Sequence, residues 1–202
     1  HECWLALYAD ASFAGDLKDS KSTSGCFLVL VGPNTFAPIA WFCKKQGAVS
    51  HSSSESEIIS LDASVRMEGI PALILWDEVI QVFAGDNSSA EKKKVEIPKQ
   101  MQLETMYDIL TSVDFVPPSF KWTSGAAKCV IFEDNDAVIK MTIKECAPMF
   151  RHVARTHRVD LDWLFERLKN DPGLSIKFVE KTTNCRPVYK RVLHSAELER
   201  TM

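Results

Sequence analysis

The chain has 202 residues, 46% of them hydrophobic and 25% charged, with a formal net charge of −3. That composition suits one domain, or one domain with a tail, and allows a sizeable core. It excludes a globally basic nucleic-acid binder, and no apolar run reaches the roughly 20 residues a membrane-spanning helix needs.

No signal peptide is visible, and the chain starts at His1 rather than Met, which reads as a fragment of a longer protein. The six cysteines (Cys3, Cys26, Cys43, Cys129, Cys146 and Cys185) are scattered without a C-x-x-C pair. They read as buried thiols of an intracellular protein, not as a zinc site or a disulfide framework.

Residues 4–10, WLALYAD, read as a buried strand ending in an acid. A polar, turn-rich stretch over 11–25 leads to a second strand, 26–31, closed by Gly32-Pro33-Asn34. A third strand covers 36–43, where Pro38 signals an edge or a bulge. Short links between the three predict an antiparallel meander. Ser52-Ser53-Ser54-Glu55 then has capping-box spacing, and Ile58, Leu61 and Val65 recur at helical spacing. Gly69-Ile70-Pro71 is expected to interrupt this helix, which ALILWDEVIQVF resumes.

Residues 84–99 are polar and read as an exposed loop, followed by a short helix over 101–112. A strand over 128–133 is followed by Asp134. A helix over 135–144, one long amphipathic helix over 153–169 and a last strand over 174–179 complete the pattern. The layout is a mixed α/β one.

Asp10 and Asp134 each sit where an apolar strand runs out, and Glu57 lies early in a helix, one turn from Leu61. For any single acid, a cap or a solvated surface position is the default reading. Three acids at the ends of strands and a helix carry more. A buried carboxylate is costly unless it is paired or binds a metal, and clustered carboxylates favour magnesium or manganese. Two such ions about 4 Å apart can activate water and stabilise the leaving oxygen in phosphodiester cleavage.

The flanking residues resemble a known family. Tyr8-Ala9-Asp10-Ala11-Ser12-Phe13-Ala14-Gly15-Asp16, Lys21-Ser22-Thr23-Ser24-Gly25 and Trp41-Phe42-Cys43-Lys44-Lys45-Gln46 match its first blocks. Ser53-Ser54-Glu55-Ser56-Glu57, Glu133-Asp134-Asn135-Asp136-Ala137 and, more loosely, Arg155-Thr156-His157-Arg158-Val159-Asp160 match later ones. In this order the blocks resemble the RNase H domain of copia-type retrotransposon Pol polyproteins.

The resemblance implies an α/β, RNase H-like fold: a mixed central sheet of three antiparallel strands, then parallel ones, flanked by helices. It implies that Asp10, Glu57 and Asp134 are catalytic, metal-binding acids for two Mg2+ or Mn2+ ions. It implies as partners an RNA–DNA hybrid and the reverse transcriptase region of the same polyprotein, in a cytoplasmic particle or the nucleus. Glu55 and Glu57 lie roughly 200° apart on a helix, so only one faces the site, and Glu57 matches the family's acid. Lys44, Lys45 and Asn135 are the expected nucleic-acid contacts, Lys44 and Lys45 through phosphates. Lys92-Lys93-Lys94 reads as a solvated loop. His51, His152 and His157 lack partners at ligand spacing and read as surface or hydrogen-bonding residues.

The resemblance stops near residue 180, so the chain divides into an RNase H-like domain over 1–180 and a divergent tail over 181–202. The family's last block, x-Q-x-A-D-x-F-T-K, supplies a fourth acid. Here Lys181-Thr182-Thr183-Asn184-Cys185-Arg186-Pro187-Val188-Tyr189-Lys190 stands instead, with Arg186 near the acid's place. Codons for this stretch can be chosen so that reading one nucleotide later gives K-Q-Q-I-A-D-L-F-T-K. A frameshift is therefore the expected origin of the tail, and lost or reduced nuclease activity its consequence. A short helix over 194–201 is compatible with the tail's sequence.

Overall fold

A computed structural model describes residues 2–16, 18–83 and 120–179. The expected loop over 84–99, the helix over 101–112 and the tail over 181–202 lie outside them.

The described strands form one five-stranded sheet. They are β1 (Trp4–Ser12), β2 (Thr23–Gly32), β3 (Thr35–Lys45), β4 (Cys129–Glu133) and β5 (Leu174–Phe178). The order is β3-β2-β1-β4-β5, with β1–β2 and β2–β3 antiparallel and β1–β4 and β4–β5 parallel. Three antiparallel strands followed by parallel ones are what the sequence implied, and the fold is RNase H-like α/β. β1 is central and reads as a nearly continuous apolar run because neighbours and packed layers cover it on both sides. β3 lies at the edge, and its pairing with β2 shifts by one residue so that Ile39 is skipped between Pro38 and Ala40. Pro38 thus sits on an edge strand and beside a bulge, the two places a sheet tolerates proline.

Helix α1 (Ser53–Ser64) begins at Ser52, whose side chain accepts a hydrogen bond from the Glu55 N–H. It runs into a π-helical turn (Val65–Gly69) and on into α2 (Ile70–Phe83). The expected interruption at Gly69-Ile70-Pro71 is therefore a wider turn inside a continuous helical path. The Ile70 N–H bonds back to the Val65 carbonyl, which absorbs one extra residue just before a proline that has no N–H to give. Gly69 also lets the helix settle on β1, since a Cβ there would lie 2.9 Å from Leu7 Cδ2.

Helix α3 (Asp136–Lys144) follows β4 and is capped by Asn135. The single helix expected over 153–169 is instead two: α4 (Val153–Thr156) and α5 (Leu161–Asn170). Between them Arg158 takes a left-handed φ of 57°, and the Asp160 carboxylate caps α5 by accepting from the Trp163 N–H. An aspartate before an apolar run is a strong helix start, and here it outweighs the continuous amphipathic pattern.

The main core lies between one face of the sheet and the helices, built from Leu5, Leu7, Leu28, Ile58, Ile131 and Leu164 among others. A smaller cluster on the opposite face gathers Ala6, Phe27 and Val29 under Trp4, Tyr8 and Phe132. The five described cysteines are free thiols, and burial pushes Cys26 and Cys129 up to about 12.

Candidate metal centre

The parallel pairing of β1 with β4 sets Tyr8 beside Phe132. Two residues further along both strands come Asp10 and Asp134, so the register brings both acids to the same carboxyl-terminal end of the sheet. Ligand sites of open α/β sheets form at such ends. Glu57 arrives from α1. One oxygen from each of Asp10, Glu57 and Asp134 lies within 4.8 Å of the others, with Glu57 buried and the two aspartates half-buried. Among the described residues this is the one group of three or more His, Cys, Asp or Glu side chains close enough to share an ion.

Short bonds hold the three supporting segments together. The Ser60 hydroxyl donates to the Asp10 carbonyl at 2.7 Å, which ties α1 to β1. Asn135 Nδ2 donates to Ser54 Oγ at 3.3 Å, which ties the end of β4 to the first turn of α1. Gln46 Nε2 donates to the Ser56 carbonyl at 2.9 Å and brings the end of β3 to the same helix.

The electrostatics match a concentration of negative charge. Glu133, one residue before Asp134, is 1% exposed. Burial pushes its carboxyl well above the usual range, Glu57 adds to this, and Asp134 and Asp10 push the same way. A donor set made only of carboxylate oxygens, with this field around it, fits a hard divalent cation such as magnesium or manganese. Sequence reading passed over Glu133. Its signal was the alternation Cys129, Ile131, Glu133, which places it on the helix-covered face.

The expected nucleic-acid contacts are differently engaged. Lys44 is exposed and makes no ion pair among the described residues. Lys45 Nζ pairs with Asp16 and, at 2.8 Å, with Asp19, binding the β1–β2 loop to the end of β3. Those lysine contacts hold both aspartates below the usual range. Asn135 uses its Oδ1 to cap α3, accepting from the Ala137 and Val138 N–H groups, and its Nδ2 on Ser54.

Two histidines read from sequence as surface or hydrogen-bonding residues lie beside one carboxylate. Glu55, 1% exposed, has Oε1 at 3.1 Å from His152 Nε2 and 3.4 Å from His157 Nε2. The sequence carried no signal for this, since nearly a hundred residues separate the partners.

No protein-family model matches the chain. Over 71 residues it is 41% identical to the retrovirus-related Pol polyprotein from transposon RE1 of Arabidopsis thaliana. The matched segment is similar to transposon Pol polyproteins. The match takes in 35% of the chain and 5% of that polyprotein, so the chain spans only a small part of its relative. The chain is also 37% identical over 62 residues to the secreted RxLR effector protein 161 of Plasmopara viticola, a match covering 31% of this chain and 41% of that protein. Among solved structures, RNase H1 from Halobacterium salinarum aligns with a TM-score of 0.42 at 14% identity, over 96% of this chain and 98% of that one. The fold assignment itself rests on strand order and register.

Proposed function

We propose that this chain is the RNase H-type domain of a retrotransposon polyprotein, of a kind that cleaves the RNA strand of RNA–DNA hybrids during reverse transcription. In this chain, we further propose, the activity is impaired. The observation that supports the reading best is the meeting of three carboxylates within 4.8 Å at the carboxyl ends of two parallel strands.

Asp10, Glu57 and Asp134 would hold two Mg2+ or Mn2+ ions. Bound there, such ions supply an activated water and stabilise the oxygen that leaves the phosphorus. The chain's own residues do the rest. The three acids would form an anionic edge at the ends of β1 and β4, and Lys44, which makes no ion pair among the described residues, would offer a cation to a backbone phosphate. Recognition through phosphates and ribose 2′-hydroxyls needs no base-specific contacts, in keeping with the modest net charge. The reverse transcriptase region of the same polyprotein is the partner this reading implies, inside the cell in a particle or the nucleus.

Impairment follows from the tail. The family's fourth acid is missing from the sequence, and Arg186 stands near its place in the sequence, where an acid's charge and oxygen ligand would be replaced by a positive charge. The same observation favours a second reading, a catalytically inactive relic that at most binds nucleic acid or a partner protein.

One experiment separates them. A labelled RNA–DNA hybrid is incubated with Mg2+ or Mn2+ and the chain as it stands, the chain with its tail restored to A-D-x-F-T-K, or the restored chain carrying Asp10→Asn. Cleavage by the restored chain, weaker cleavage by the chain as it stands and none by Asp10→Asn is the expected result. Equal cleavage with both tails sinks the impairment. Hybrid binding without cleavage by either tail establishes the relic.

A further inference from the structure

We infer that Glu55, held by His152 and His157, is a positioning residue for the metal centre, fixing the rotation of α1 so that Glu57 faces Asp10 and Asp134. The inference rests on the metal-centre reading above and concerns how this chain assembles that centre.

Glu55 and Glu57 lie two residues apart in the first turns of α1, roughly 200° round the helix. They therefore serve opposite sides. Glu57 enters the acidic group, while Glu55 enters a pocket of its own with three nitrogen neighbours. Its Oε2 accepts from the His51 N–H at 3.0 Å, and its Oε1 faces both imidazoles. The His157 side chain is only 2% exposed, so its ring is packed in place beside the carboxylate. The carboxylate thus joins three segments: the turn at Val49–His51 that leads into α1, the residue before α4 and the residue after it.

Apolar packing of Ile58 and Leu61 sets the side of α1 that faces the sheet, but such contacts are non-directional and allow some rotation. A buried carboxylate does not, because it is costly to bury once its hydrogen bonds are lost. Glu55 on one side, with the Ser60 bond to the Asp10 carbonyl and the Ser54 bond to Asn135 on the other, leaves α1 one rotational setting. In that setting Glu57 reaches the two aspartates. Outer partners of this sort orient metal ligands, and their loss weakens metal affinity by about 10–100-fold.

The test uses the full chain and Mn2+ alone, titrated by electron paramagnetic resonance well below each variant's melting temperature. Glu55→Ala is expected to stay folded by circular dichroism and to bind Mn2+ about tenfold more weakly. Glu55→Gln, which keeps an acceptor oxygen, is expected to recover most of that loss. His157→Gln, which leaves Glu55 in place, is expected to weaken binding in the same direction and stands in if Glu55→Ala does not fold. Wild-type Mn2+ affinity in folded Glu55→Ala and His157→Gln overturns the positioning role alone. A wild-type chain that fails to bind Mn2+ overturns the metal-centre reading, and this inference with it.

Discussion

Asp77 and the acids gathered around Glu57 are placed in opposite ways in this molecule. Asp77, in the middle of α2, is surrounded by donors. The Ser124 N–H and hydroxyl, the Ala127 N–H and the Gln81 amide all reach it, at 2.7–3.2 Å. Burial pushes its carboxyl up, but these bonds outweigh burial and hold it below the usual range. Asp10, Glu57 and Asp134 instead converge on one another, with Glu133 driven well upward beside them. An acid ringed by donors is part of the scaffold: Asp77 staples α2 to the segment that feeds β4. Acids that face one another repel, and on the proposed reading a divalent cation would relieve that repulsion.

Substitutions can break this contrast. The largest effect is expected for Asp77→Ala, which strands the buried Ala127 N–H and releases the Ser124 segment from α2. It should cost about 3 kcal/mol in urea unfolding while leaving the Mn2+ affinity of the folded protein intact. The same acid sets a pH dependence. Its folded pKa lies below the unfolded value of about 3.9, so its stabilisation is complete above that value. It is lost as pH falls through the folded pKa, and Asp77→Ala should flatten that acid limb.

Gly69→Ala is expected to cost about 1–2 kcal/mol, because the new methyl meets Leu7 and lifts the π-turn off β1. Asp10→Asn should do the reverse. Removing one like charge from the group should stabilise the metal-free protein by about 1 kcal/mol, seen as a higher melting temperature without divalent cations. A loss of stability there would place Asp10 with Asp77, among the scaffold acids. The smallest effect concerns Lys44 and Lys45. Lys44→Ala should weaken hybrid binding and reduce its salt slope by about 1. Lys45→Ala should act mainly by loosening the β1–β2 loop, since Asp16 and Asp19 already hold it.

What could be read in the sequence follows the range of each interaction. Strand and helix identities are local, and Pro38 announced both the edge and the bulge. The three acids were individually ordinary, and only the ordered blocks around them pointed to one site. The break between α4 and α5 was legible in Asp160, a helix start inside an amphipathic run, but periodicity concealed it. Asn135 stood directly between a strand and a helix, so its capping role had a local signal too, which the motif's nucleic-acid reading overshadowed. The pairing of Glu55 with His152 and His157, and of Asp77 with Ser124 and Ala127, had none, because each joins segments brought together only by the folded sheet and helices.

The central claim is that three carboxylates form a divalent-cation centre, and a direct Mn2+ titration tests it most simply. The wild-type chain should bind Mn2+ saturably, with Mg2+ competing, and Asp10→Asn, Glu57→Gln and Asp134→Asn should each weaken binding by at least about tenfold while remaining folded. Equal Mn2+ affinity in wild type and all three variants would contradict it and reduce the group to acids with no shared ion.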